Sequence, residues 1–207
     1  MSRLGRRHPM RAIDWHKFLQ EQRDEHRKVV FTTSELANAA GSHPRSLSVT
    51  LQRLVARGVI RRYAAGRYGL PGAVGPEDLV PLLDTSAYIT GMYALHRHLM
   101  VTQVPTEITC FTNRRHNRSR IRQTPLGHIV FVCVTAPLYA PPKGTVIASA
   151  EQALCDFVHL CRKRGITATD IVTFRNQERL GRKDLRDHLA RYPGTVEREV
   201  NRLLAQR

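Results

Sequence analysis

The sequence predicts an α+β fold, and three observations carry that prediction. Residues 33–57 hold two helical patterns split by Gly41, a strand–turn–strand pattern follows at once, and the rest alternates short strand patterns with helices opened by Ser or Thr. Together they predict an N-terminal winged helix-turn-helix over residues 1–71, followed by a mixed α/β C-terminal domain over residues 76–207. With 207 residues, each part has enough chain for its own core.

The first helix is expected from Ala12 to about residue 25, with Trp15, Phe18 and Leu19 on one face. Val29, Val30 and Phe31 read as a short strand. Thr32 and Glu35 then have capping-box spacing, in which a hydroxyl accepts a helix N–H and a carboxylate reaches back. The helix opening at Glu35 is short, and Gly41 supplies a left-handed stop. Ser42, His43 and Pro44 open the next helix, since proline is tolerated in a first turn.

That helix, residues 44–57, divides into two faces. Leu47, Leu51, Leu54 and Val55 form one apolar stripe. Arg45, Val49, Gln52, Arg53 and Ala56 fall opposite, flanked by Ser46 and Ser48. The second face holds side chains able to bond base edges and phosphates, and it holds no acid. After Gly58, residues 59–63 read as a strand, Ala64 to Arg67 as a turn, and residues 68–70 as a return strand, a wing carrying Arg61, Arg62 and Arg67. Alternation puts Val59, Arg61 and Tyr63 on one side and Ile60 and Arg62 on the other, so the two adjacent arginines are expected to differ in role. The DNA-contacting set is therefore His43, Arg45, Ser46, Ser48, Gln52, Arg53, Arg61, Arg62 and Arg67.

Charge agrees with a polyanionic partner. The formal net charge is +16, and residues 1–71 carry 14 basic and 5 acidic side chains against 12 and 8 in residues 149–207. Arginine outnumbers lysine 28 to 5, which fits bidentate phosphate and guanine recognition and fits biased base composition equally.

Residues 72–76 read as a Gly/Pro linker. Beyond it, Asp84 to Ser86 is expected to cap a helix reaching residue 99. Strands are expected at 107–112, 129–134 and 145–148, and Ser149 is expected to cap a helix. Two more helical stretches are expected to begin near Thr169 and Thr195. Between the strands, Arg114, Arg115, Arg118 and Arg120 belong to an acid-free segment that reads either as auxiliary phosphate contacts or as a solvated loop.

Catalytic signals are sparse. His96 and His98 lack the i, i+4 spacing of helical metal ligands, and Asp84, Glu107, Glu151 and Asp156 form no nuclease pattern. No phosphate-cradling Gly-rich loop or nucleophile elbow is present. The expectation is a non-enzyme with no catalytic residues, metal or cofactor. Cys110, Cys133, Cys155 and Cys161 form no C-x-x-C pair and are expected to be small buried thiols. The N-terminus lacks a signal peptide's apolar region, and the longest apolar run, residues 129–134, is only strand length, so a cytoplasmic protein without membrane partner is expected.

Several segments, in order, resemble AbiEi-type antitoxins over roughly residues 28–160. Gly58-Val-Ile-Arg-Arg-Tyr-Ala-Ala-Gly-Arg-Tyr-Gly-Leu-Pro71 is similar to that family's wing, and Tyr93-Ala-Leu-His96 to its second-domain helix. Val104-Pro-Thr-Glu-Ile-Thr109 and Ile147-Ala-Ser-Ala-Glu-Gln-Ala-Leu-Cys-Asp156 are similar to the strand and helix that follow. The resemblance implies an antitoxin encoded beside a nucleotidyltransferase-like toxin, binding inverted repeats in its own promoter as an autorepressor. It implies that the C-terminal domain carries antitoxicity without requiring a stable toxin complex. A nucleic-acid-targeted enzyme such as a nuclease, docking through the winged domain, is the alternative.

Overall fold

The computed structural model describes residues 10–117 and 119–205. It is an α+β chain that divides into two compact units: one runs to Leu79 and includes Thr124–Leu126, the other takes Val80–Gln123 and everything from Gly127.

In the first unit the order is α1 (Ala12–His26), β1 (Phe31–Thr32), α2 (Thr33–Ala39), α3 (Pro44–Ala56), β2 (Arg61–Ala64) and β3 (Arg67–Gly69). The strands form an antiparallel sheet in the order β1-β3-β2. Local signals explain the helix ends. Thr32 Oγ1 accepts the Glu35 N–H at 3.1 Å while Glu35 Oε2 accepts the Thr32 N–H at 2.8 Å, the reciprocal box expected from the sequence. Gly41 has φ +59°, and the Ser42 N–H reaches back to the Ala37 carbonyl, so α2 stops where glycine permits the left-handed turn.

α3 closes with the Val59 and Ile60 N–H groups both directed at the Leu54 carbonyl. Those two residues finish a helix, which is why β2 starts at Arg61 rather than at residue 59. Trp15, Leu19, Phe31, Leu36, Leu47, Leu51, Leu54 and Ile60 form the core of this unit. Fully burying side chains of this size stabilises by about 1.5–3 kcal/mol each.

The second unit begins within α4 (Pro76–Leu83) and continues through β4 (Tyr88–Ile89), α5 (Gly91–Arg97), β5 (Glu107–Thr112), β6 (Ile121–Thr124) and β7 (Gly127–Cys133). Four helices follow: α6 (Ala150–Lys163), α7 (Ala168–Ile171), α8 (Arg182–Leu189) and α9 (Gly194–Ala205). The sheet order is β4-β5-β7-β6, with β4 antiparallel and β7 parallel to β5. α6 is the central helix, burying Ala153, Leu154, Cys155, Phe157 and Val158 among α5, α8 and α9. Ser149 caps it as expected, its hydroxyl accepting the Gln152 N–H.

The helix expected from Asp84 to residue 99 does not exist as one piece. Asp84 ends α4, its N–H bonded to the Val80 carbonyl, and the chain then passes through β4 before α5. Tyr88 and Ile89 pair with Phe111 and Cys110, and Ile89 also exchanges backbone bonds with Val146 and Ala148. Tertiary pairing to distant strands thus overrides the local helical signal. Residues 145–148 contribute only an isolated bridge, Ile89 to Ile147, instead of a third strand. Cys133, expected buried, is exposed, whereas Cys110, Cys155 and Cys161 are buried. Among the described residues no helix is long and apolar enough to cross a membrane.

Candidate nucleic-acid interface

α3 presents the two faces that its sequence sorts. Leu47, Leu51 and Leu54 are buried, while Arg45, Ser46, Ser48, Val49, Gln52, Arg53 and Ala56 are exposed. Arg45 and Gln52 are seven residues apart, nearly in line on the helix and about 10 Å along its axis. Val49 lies between them and is 51% exposed, an apolar surface of the kind that meets a thymine methyl. Arg45, Gln52 and Arg53 make no side-chain hydrogen bond among the described residues, so their donors are free to bond a ligand.

His43 and the two serines are more committed. His43 is the N-cap of α3, its Nδ1 accepting the Arg45 N–H at 3.2 Å, which leaves the Nε2 edge outward. Ser46 donates to the His43 carbonyl at 2.8 Å and Ser48 to the Arg45 carbonyl at 2.9 Å. A hydroxyl that donates into its own helix keeps only lone pairs for a partner. It can accept from a base amino group but must break its bond to serve a phosphate oxygen.

In the hairpin, Arg61 and Arg62 are both exposed, and Tyr63 is buried with its phenol donating to the Leu70 carbonyl at 2.8 Å. Arg61 and Arg62 pair in regular register with Gly69 and Tyr68, and the register shifts only between Arg62 and Ala64. The bulge falls at Tyr63, after both arginines, and both are exposed. Arg67 sits in the middle strand opposite Thr32 and Ala64, and it is half-buried with its Nε enclosed and unbonded. Between Glu35 and Glu77 the chain has no acidic residue and six arginines, one of which, exposed Arg57 at the C-cap of α3, the face analysis misses.

The basic segment lies in the second unit and is anchored there. Asp84, nearly fully buried, accepts from the Thr112 hydroxyl at 2.7 Å, the Ser86 N–H at 2.9 Å and the His116 ring at 3.0 Å. Burial opposes its charge, but these donors hold the carboxyl below its ordinary range. His116 stacks on Phe131 with ring centroids 4.4 Å apart. Asp84 is therefore a post for the loop and not a helix cap, a role no local motif signals. Arg114, Arg115 and Arg120 extend into solvent from this anchored segment; Arg118 lies outside the described residues.

No protein-family model matches the chain, and no curated protein matches its sequence. The chemistry of the site therefore stands on its own geometry.

Among the described residues, no group of three or more His, Cys, Asp or Glu side chains is placed to hold a metal ion. His98, one of the two histidines flagged in the sequence, sits 2.8 Å from the Ala148 carbonyl as a structural bond. The most perturbed acid is one of the four scattered acids noted in the sequence. Asp156 is fully buried, accepts from the Thr90 hydroxyl at 2.5 Å and from the Tyr192 phenol, and its carboxyl is pushed up to about 7 by burial against those hydrogen bonds.

Proposed function

We propose that the first unit is a winged helix-turn-helix that reads double-stranded DNA, with α3 entering the major groove and the β2–β3 hairpin as the wing. The observation that carries the proposal is the outer face of α3. It is capped, exposed, free of acid, and displays Arg45, Gln52 and Arg53 without internal partners. A solvated helix face ordinarily mixes signs, whereas a face meeting phosphates and base edges excludes carboxylates. Arg45 and Gln52 are assigned to bases, Arg53, Arg61 and Arg62 to the backbone, and the exposed Nε2 edge of His43 to the entry of the helix.

The resemblance of residues 28–160 to AbiEi-type antitoxins extends this reading. On that footing the protein is a cytoplasmic autorepressor of a toxin–antitoxin operon, its second unit countering a nucleotidyltransferase-like toxin. The anchored arginines Arg114, Arg115 and Arg120 support auxiliary phosphate contacts by remaining exposed on an ordered post.

Gel-shift titration of Arg45→Ala and Gln52→Ala against DNA from the protein's own upstream region tests the core of the proposal. A base-reading side chain lost should weaken specific binding by ~1–3 kcal/mol and relax preference at one position. Unchanged affinity and unchanged sequence preference in both variants would remove α3 from the interface. A nucleotidyltransferase-type reading frame beside the gene is the matching check on the antitoxin assignment.

A further inference from the structure

The second unit contains a cavity of about 300 Å³ between β5, α5 and α6, and nothing in the DNA-binding reading uses it. Met92, Phe157, Leu160 and Ile171 supply an apolar lining. Val104, at its edge, is 77% exposed, an unusual position for a branched apolar side chain. Only two lining residues carry a formal charge, Glu107 and Arg164, and they are of opposite sign.

Among the described residues, neither charge is neutralised by an ion pair. Glu107 accepts only a 3.3 Å bond from the Thr109 hydroxyl, and Arg164, at the C-cap of α6, forms no ion pair among the described residues. Both side chains are exposed, so neither is needed to hold the core. A cavity with one apolar wall, flanked by one cation and one anion, complements a small molecule with a carboxylate, an ammonium and a hydrocarbon body. The volume is at the lower end for ligand sites, about 300–1,000 Å³, which suits a single amino acid better than a peptide.

We propose that this cavity binds an apolar α-amino acid, with Arg164 holding the carboxylate, Glu107 the ammonium, and Met92, Phe157, Leu160 and Ile171 the side chain. Binding is non-covalent. The nearby Cys161 thiol is buried and held up to about 11, so it presents no thiolate to a ligand. The inference does not rest on the DNA-binding reading, and its test reads a different quantity.

Isothermal titration calorimetry on the full chain uses three ligands: L-leucine, isocaproate, which lacks the ammonium, and isoamylamine, which lacks the carboxylate. L-leucine should bind saturably and more tightly than either fragment. Arg164→Met should weaken L-leucine and isocaproate by at least ~10-fold and spare isoamylamine, as expected for a lost charge-assisted bond. Glu107→Gln should weaken L-leucine and isoamylamine and spare isocaproate. Thermal midpoints of both variants should match the parent, since each side chain is exposed. Absence of saturable heat with L-leucine would overturn the proposal. So would L-leucine affinities in both variants equal to the parent's.

Discussion

Arg45 and Arg67 carry the same charge into different surroundings, and the difference decides what each can do. Arg45 is exposed and unbonded, so its guanidinium can adopt the bidentate geometry that a base edge requires. Arg67 is half-buried in the middle strand, with Nη1 turned 3.4 Å from the Gly66 carbonyl, which suits fixing position over reading sequence. Arg67→Ala should weaken specific and non-specific DNA alike and flatten the slope of log K against log salt by ~0.9; fluorescence anisotropy across a salt series reads both, and an unaltered slope would place this residue off the backbone. Asp156 supports a prediction of another kind. Its carboxyl is raised to about 7 by burial, so the folded state holds the proton more tightly than the unfolded chain, whose ordinary value is about 4. Stability from this group is fully present below pH ~4 and is lost as pH rises through ~7, by about 4 kcal/mol at most. Asp156→Asn keeps partners for Thr90 and Tyr192 without the charge. Urea midpoints compared at pH 5 and pH 8 should fall for the parent relative to the variant, and parallel profiles would show that Asp156 does not titrate in this window.

Elements differ in how far their causes lie along the chain, and that distance governs what the sequence reveals. α2, α3 and α6 begin and end on signals within four residues: the Thr32–Glu35 box, Gly41, and the Ser149 cap. β5 is legible at its full extent because its run of β-branched and apolar residues is local. β4 is not, because Tyr88 and Ile89 become a strand only through Cys110, Phe111, Val146 and Ala148. The same holds for the Asp84 post, whose partners Thr112 and His116 lie 28 and 32 residues away. In the candidate interface, side-chain type and helical period reveal the α3 face, while the bulge at Tyr63 depends on cross-strand register. The hairpin also carries a sharp steric constraint. A Cβ on Gly69 would lie 2.4 Å from the Val29 carbonyl oxygen and 2.8 Å from Val74 Cγ2, a backbone clash that no rotamer relieves. Gly58 has open space but φ +69°, so alanine there meets only left-handed strain of about 1–2 kcal/mol. Gly69→Ala should therefore lower the thermal midpoint of the first unit more than Gly58→Ala does, as overpacking and backbone displacement add to lost freedom. Equal midpoints would mean that the β1 side of the hairpin yields readily.

At the scale of the whole molecule, the two units have separate apolar clusters. One is built from Trp15 through Leu70, the other from Tyr88 through Leu203. Each cluster is built from its own unit's residues, and the outer side chains of α3 belong to neither. Side-chain truncations at exposed positions ordinarily alter stability by less than about 0.5 kcal/mol. Functions assigned to the two units should accordingly separate in the intact chain, without cutting it. On the antitoxin reading, a full-length protein carrying Arg45→Ala and Gln52→Ala together should lose repression of a reporter driven by its own promoter. It should still protect cells expressing the partner toxin, because nothing on α3 is assigned to that task. The converse set, Arg114→Ala, Arg115→Ala and Arg120→Ala, should retain sequence preference while weakening DNA at higher salt, since phosphate contacts carry affinity but no base information. Reporter output, growth rescue and immunoblot levels measured on the same strains distinguish the outcomes. If the α3 variant accumulates normally yet fails to protect, toxin protection runs through DNA binding and the two units share one task.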